Sequence, residues 1–310
     1  MQTIKLSPNL KLTKANYCLA ALVAAAWLAG CATPPKAPAD WPAWQTRRTE
    51  SIGGTNGWTT LIGLAWLHEG DNSAGSAPTN QAVIHSPTVP ATIGVFTRQG
   101  GTVTFTPAPG VDVRVNHEPV GKLTLQSDAG ENPTKLQIGP VSVVLIQRGD
   151  RLGLRIRDPN APTRREFQGL HWFPYDPAWR LTGHFVPFAE RQKLRVPDVT
   201  GATQTFDSPG AIVFTAHGAE YRLAVAEEAG EAEYFMLFRD QTTGDSTYAA
   251  GRFLYVKKPD ASGQLIIDFN RAFTPPCGFT HFATCPLPPR QNTLPLAVTA
   301  GELKPDGAGH

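Results

Sequence analysis

The run Val141-Ser142-Val143-Val144-Leu145-Ile146, followed closely by Leu152-Gly153-Leu154-Arg155-Ile156-Arg157, decides the fold. The first is continuously apolar, as expected of a strand buried on both faces. The second alternates: Leu152, Leu154 and Ile156 share one face, and Gly153, Arg155 and Arg157 the other. Upstream, Ile93–Thr97 and Thr102–Thr106 flank Gln99-Gly100-Gly101, which predicts a hairpin. Val111–Val115 alternates strictly. Leu61–Leu67 is apolar and fits either a strand or a short helix. Trp41–Ser51 predicts a short helix that ends at the Gly53-Gly54 turn. Downstream, Asp158-Pro159-Asn160-Ala161-Pro162 is a turn cluster and a domain boundary. A second strand series follows over Arg180–Phe188, Ala211–Ala216, Glu220–Ala226, Glu233–Phe238, Arg252–Val256 and Gln264–Phe269, with a hairpin turn at His217-Gly218. Thr274–Leu296 is too rich in proline to be helical. With 29 glycines and 28 prolines, and no long helical pattern between the strands, a βαβ architecture is excluded. The expected class is all-β: an N-terminal β-sandwich over residues 53–158, then a second β-sandwich or barrel domain over 159–310 with a Pro-rich C-terminal loop.

The first 30 residues read as a targeting segment. Lys5, Lys11 and Lys14 make a positive start with no acidic residue, and Leu19–Leu28 is a short apolar stretch. That stretch is too short to span a bilayer, which takes roughly 20 apolar residues. Leu28-Ala29-Gly30-Cys31 then has the small residues and the thiol of a lipobox. An ordinary signal peptide with an unrelated cysteine is the competing reading. The Pro/Ala-rich stretch Ala32–Asp40 suits a tether for a lipidated Cys31, and residues 31–52 are expected to comprise this tether and the short helix. Ala32, rather than Asp, after the cysteine points to the outer membrane, facing the periplasm. Removing the three leader lysines takes the net charge from +2 to −1. No nucleic-acid footprint is expected from such a chain.

Cys18 leaves with the leader and Cys31 is taken by lipid. Cys277 and Cys285 remain, and in an oxidising compartment such a pair predicts a disulfide. Closing so short a loop adds about 2–3 kcal/mol. Zinc is the weaker reading, because no C-x-x-C pair or ligand-spaced histidines lie nearby.

The motifs Phe167-Gln168-Gly169-Leu170-His171-Trp172-Phe173-Pro174-Tyr175-Asp176-Pro177-Ala178-Trp179-Arg180, Tyr248–Tyr255, Asp268-Phe269-Asn270-Arg271-Ala272, Pro275-Pro276-Cys277, Ala283–Pro289, Asn292–Pro295 and Ala300-Gly301-Glu302 occur in that order. In this the C-terminal half resembles the bacterial family known as domain of unknown function 1684, over about residues 165–303. Gly63–Leu67 and Asn72–Ser76 resemble that family's N-terminal portion. The resemblance implies a fold and no settled activity. Residues 70–158 also resemble, in outline, a forkhead-associated β-sandwich, through Gly75-Ser76, Val115-Asn116 and Ile138-Gly139. Ser76 stands where that family's phosphothreonine-reading arginine is expected, and its Ser-x-x-His element is missing around Val89–Ile93. Phosphopeptide binding therefore does not carry over.

Three groups of side chains are candidates for chemistry. Tyr248, Arg252, Asp268, Asn270, Arg271 and Glu302 crowd the family motifs, and with Trp172, Tyr175 and Arg180 they make the expected ligand pocket. Arg252 suits bidentate capture of a carboxylate or phosphate. Asp268 and Glu302 suit an acid/base pair if the fold brings them together. The competing reading is a buried network that anchors the irregular Cys277–Cys285 loop, whose backbone groups need partners. The aromatics Trp172, Phe173, Tyr175 and Trp179 either stack on a ligand or pack the junction between domains. The arginines Arg148, Arg151, Arg155, Arg157, Arg164 and Arg165 either meet an anionic envelope surface or form a solvated strand face.

Nucleophile-elbow, zincin, P-loop and dinucleotide motifs are absent: Asp71 replaces the elbow glycine before Ser73, and His68-Glu69 lacks a second histidine. The expected function is a lipid-anchored periplasmic protein that needs no cofactor or metal. Its partners are the membrane, through the anchor, and a small-molecule, glycan or protein ligand of the envelope. A cofactor-independent hydrolase of an envelope component is the second reading, and a scaffold for protein contacts the third.

Overall fold

The apolar runs pair as strands. A computed structural model describes residues 37–228 and 230–306; the leader, Cys31 and the lipobox lie outside the described residues. The N-terminal strands are β1 (Leu61–Trp66), β2 (Gly70–Gly75), β3 (Ala82–Val83), β4 (Gly94–Gln99), β5 (Thr102–Pro107), β6 (Arg114–Val115), β7 (Glu118–Pro119), β8 (Leu123–Thr124), β9 (Lys135–Ile138), β10 (Val141–Arg148) and β11 (Arg151–Arg157). Among the described residues they form two sheets, in orders β1-β11-β10-β9-β6-β7 and β3-β2-β4-β5-β8. β10 lies between β11 and β9, which explains its unbroken apolar pattern. Phe96 and Phe105 of one sheet and Leu145, Leu154 and Ile156 of the other share one buried core, so the half is a sandwich.

Asp158 closes this half; its backbone N–H donates to Thr60 O at 2.8 Å. The remaining strands are β12 (Arg180–Pro197), β13 (Thr203–Ala216), β14 (Ala219–Ala224), β15 (Ala226–Glu227), β16 (Glu233–Phe238), β17 (Arg252–Lys257) and β18 (Gln264–Asp268). They form one antiparallel sheet, order β17-β16-β15-β13-β12-β18, with β14 paired to β13. The sheet curls until β17 and β18 are neighbours, giving a nearly closed barrel. Its interior is filled by Phe214, Met236, Phe238, Leu254, Ile267 and Phe269. His217 (φ 49°) and Gly218 (φ 78°) make the expected two-residue hairpin turn, in which both positions need positive φ.

β12 and β13 are longer than their apolar pattern shows. The stretch Glu190–Lys193 has no apolar alternation, yet the ladder continues through it: Gln192, Lys193 and Leu194 pair with Ser208, Asp207 and Phe206 past an irregularity after Pro187. The Pro-rich C-terminal segment forms no long helix. It lies on the outer face of the barrel, where Ala283 and Cys285 join Leu194, Val196, Phe235, Leu237 and Phe253 in a third apolar cluster.

The first helix among the described residues, α1 (Trp41–Gly53), carries Pro42 in its first turn and ends at Gly54, whose N–H donates to Glu50 O at 2.8 Å. It packs against residues of the C-terminal half. Trp44 meets Trp172 edge-on at 5.2 Å, and Trp41 meets Tyr175 edge-on at 5.5 Å.

One sequence expectation is corrected. Cys277 and Cys285 are free thiols 3.6 Å apart, with no bond between them; a bonded pair lies at about 2.0 Å. The loop closes through hydrogen bonds instead. The Cys277 N–H donates to Cys285 Sγ at 3.2 Å, Tyr248 Oη donates to Cys277 O at 3.0 Å, and Gln204 Nε2 donates to Thr284 O at 2.6 Å.

Candidate functional site

Arg252 is fully buried, as is Glu302, and the two belong to different networks. Arg252 pairs with Asp240 at 3.3 Å and donates to the carbonyls of Val298 (2.9 Å) and Ala300. Burial pushes its pKa down, against the pull of Asp240. Glu302 accepts from Arg48 Nε at 2.6 Å and from the Thr274 N–H at 2.9 Å. Burial raises the Glu302 pKa, while Arg48 works to lower it. Asp268 caps the turn that follows it, accepting from the Asn270 N–H at 3.2 Å and Nδ2 at 3.0 Å. Asn270 also bonds both backbone groups of Asp176, at 2.9 and 2.8 Å. Arg271 reaches Asp40 at 2.7 Å, Arg180 is an exposed residue opposite Asp268, and Tyr248 ties down Cys277.

Trp172 and Tyr175 hold α1. These residues clamp the helix and the Pro-rich segment to the barrel, meeting the backbone demands of chain without regular ladders. None of the nine lines the large cleft bounded by α1, the first sandwich sheet and the barrel. Asp268 and Glu302, the acid/base pair of the hydrolase reading, are engaged in different networks.

The cleft has a volume of about 680 Å³, within the range of small-molecule sites. Its floor is the outer face of the barrel. Phe235 of β16 and Tyr255 of β17 are register partners whose rings stack at 5.1 Å, and Tyr255 stacks on Phe273 at 6.0 Å. Phe206 and Phe253 abut this row edge-on. They are outside the barrel because Leu254 and Val256 alternate with them and fill its interior.

One wall is α1. Trp44, Arg47, Arg48 and Ser51 recur at helical spacing and so share a face. Arg48 lies over the Phe273 ring at 4.6 Å. The opposite wall is the outer face of the first sandwich sheet, which supplies Arg148 and Arg155. This is the Gly153, Arg155, Arg157 face of β11. Gly153 is required there, because a Cβ would stand 2.8 Å from the Trp66 ring. Arg151 in turn stacks on Trp66 at 3.7 Å.

Arg148 grips Asp128 with two bonds, at 3.0 and 2.9 Å, and gives its Nε to Thr284 Oγ1 at 3.0 Å. Arg155 is less well served. It lies 3.8 Å from Asp128, makes a 3.5 Å contact with Thr284 Oγ1, and its buried Nε has no partner. Burial and then the neighbouring Arg148 push its pKa down to about 10. Arg157, beside it, spends its Nη1 on the Asn56 and Gly57 carbonyls and Thr60 Oγ1. Glu228 lines the cleft as well, with its pKa raised by burial and by Glu231. A guanidinium pair beside an aromatic floor can hold an anionic group and the apolar body attached to it. The alternation of β11 announced the arginine face. The aromatic floor was hidden, because Phe235, Tyr255 and Phe273 are scattered in sequence and read as core.

The family described as a protein of unknown function (DUF1684) has a model that matches residues 165–303, the stretch that holds the clamping residues and the barrel. Among solved structures, the uncharacterised protein from gene locus rrnAC0354 of Haloarcula marismortui is 30% identical. That match covers 47% of this chain and 82% of the archaeal one, with a TM-score of 0.40. The FhaA FHA domain, solved with the intracellular domain of Rv3910, is 15% identical over 30% of this chain and 97% of its own, with a TM-score of 0.22. Mycobacterium tuberculosis EmbR, solved with a low-affinity phosphopeptide, is 16% identical over 33% of this chain and 27% of its own, with a TM-score of 0.21. No curated protein matches the chain. By that match, residues 165–303 of this chain are similar to the DUF1684 family.

Proposed function

We propose that this protein is a lipid-anchored, periplasm-facing binding protein of the outer membrane, which holds an envelope molecule with an apolar body and an anionic group. The observation that carries this reading is the cleft of about 680 Å³, with an aromatic floor and arginines on both walls. A largely buried cation is costly to keep without a hydrogen-bonded carboxylate, and Arg155 in the wall has none, which argues for an anionic guest. Location is supported by the sequence alone, through Leu28-Ala29-Gly30-Cys31 after a basic and then apolar leader.

The test is native mass spectrometry on full-length protein extracted from its own envelope. The reading expects a retained anionic amphiphile at one per chain, lost on Tyr255→Asp, which puts a carboxylate into the aromatic floor. A wild type that carries no such molecule, or the same load in Tyr255→Asp, would refute it. Metabolic labelling with a radioactive fatty acid tests the anchor: label on the wild type and none on Cys31→Ser is expected, and an unlabelled wild type ends the claim.

A further inference from the structure

Charge and hydrogen bonding inside the cleft define the guest more closely, on the reading that it is a binding site. Arg48 is neutralised by Glu302 at 2.6 Å. Arg148 and Arg155 share one carboxylate, Asp128, and Arg148 takes both of its oxygens. Arg47 stands exposed at the lip, and Glu228 is the acidic residue in the lining. With Asp128, Glu302 and Glu228 all counted as ionised, the four arginines exceed the carboxylates by a formal charge of one. Arg155 is the least completely paired of these cations: its side chain is 11% exposed, its Nε is unpartnered, and it meets Asp128 as an ion pair at 3.8 Å, beyond hydrogen-bond distance. A buried cation so placed is incomplete without an anion. Thr284 is beside it. Its Oγ1 accepts from Arg148 at 3.0 Å and meets Arg155 Nη2 at 3.5 Å, which leaves the hydroxyl proton to donate.

We infer that the cleft selects a singly charged anion, a carboxylate or a phosphodiester, held by Arg155 and the Thr284 hydroxyl with its apolar chain over Phe235, Tyr255 and Phe273. A phosphate monoester carries about −1.5 to −2 near neutral pH and overshoots this balance. An uncharged head leaves Arg155 bare.

Three probes with one chain length test this on full-length protein in amphipol, by titration calorimetry below micelle concentrations: octanoate, octyl phosphate and n-octanol. The wild type is expected to bind octanoate at least tenfold tighter than either of the others. Arg155→Gln should erase the preference for octanoate over octanol. Should that variant lose its circular-dichroism signature, Arg155→Lys keeps the charge and must keep the discrimination against octanol. Asp128→Asn raises the local charge by one and should bring octyl phosphate level with octanoate or tighter. Binding of octyl phosphate ahead of octanoate by the wild type overturns the single-charge inference and leaves the cleft's function intact. Octanoate affinity unchanged in Arg155→Gln overturns the role of Arg155. Failure of all three probes to bind overturns both the inference and the function it rests on.

Discussion

Arg48, in the first helix, and Glu302, 254 residues further along, form an ion pair with Nε and Oε1 2.6 Å apart, at 10% and 1% side-chain exposure. The pair joins α1 to the end of the family motifs and holds the helix as a wall of the cleft. Glu302→Gln strands the buried guanidinium, and losing one partner of a buried pair costs about 3–5 kcal/mol. Chemical denaturation of the variant should show that loss. A change under 1 kcal/mol would mean that the helix is held by its aromatic contacts alone.

Gly301 positions Glu302. Its φ is +84°, and a Cβ there would stand 2.4 Å from the Ala272 carbonyl oxygen, which itself accepts from the Glu302 N–H at 2.8 Å. Gly301→Ala therefore meets both strain and collision. It should lower stability by about 1–3 kcal/mol or more and loosen α1. Faster amide exchange over Trp41–Gly53 is the accompanying sign, and unchanged exchange would contradict it.

Most of the architecture was legible from residue order. The hairpin at His217-Gly218, the exposed-inward alternation of β11 and the apolar β10 all follow from local pattern and turn chemistry. The far half of the β12–β13 hairpin was not legible, since Glu190–Lys193 has no apolar alternation and is ordered by its ladder alone. At the site, the family motifs drew attention to Arg252, Asp268 and Glu302, which are structural because irregular chain needs buried polar anchors. The cleft is made by apposition of α1, β11 and the outer barrel face, and nothing local in the sequence announces such apposition.

Arg155 weakens the empty protein. Replacing it with Met leaves Asp128 still gripped by Arg148 and removes a poorly paired cation, so the apo form should gain about 1 kcal/mol. Octanoate at a hundred times the wild-type Kd should stabilise the wild type by about 2.7 kcal/mol and Arg155→Met, which binds it at least tenfold more weakly, by about 1.4 kcal/mol or less. A thermal shift of both proteins with and without octanoate reads the trade. A less stable apo variant that responds to octanoate as fully as the wild type would contradict it.

Binding should fail at high pH. Burial, then repulsion from Arg148 and more weakly from Arg157, lowers the Arg155 pKa to about 10, with Asp128 and Cys285 opposing. The anion binds the protonated guanidinium, so deprotonation of the free protein removes affinity. Octanoate affinity should be level from pH 7 to 9 and decline as pH rises through about 10. A level response to pH 11 would place the anion on an ordinary arginine, whose pKa lies above 12.

The most direct test of the cleft itself is to map where a guest sits. Full-length protein is irradiated with a diazirine-bearing octanoate analogue, and adducts are located by peptide mass spectrometry. Adducts on Phe235, Tyr255 and Phe273, suppressed by excess octanoate, are the predicted result. Adducts spread over the surface, or confined to the Trp172 and Tyr175 cluster outside the cleft, would contradict it.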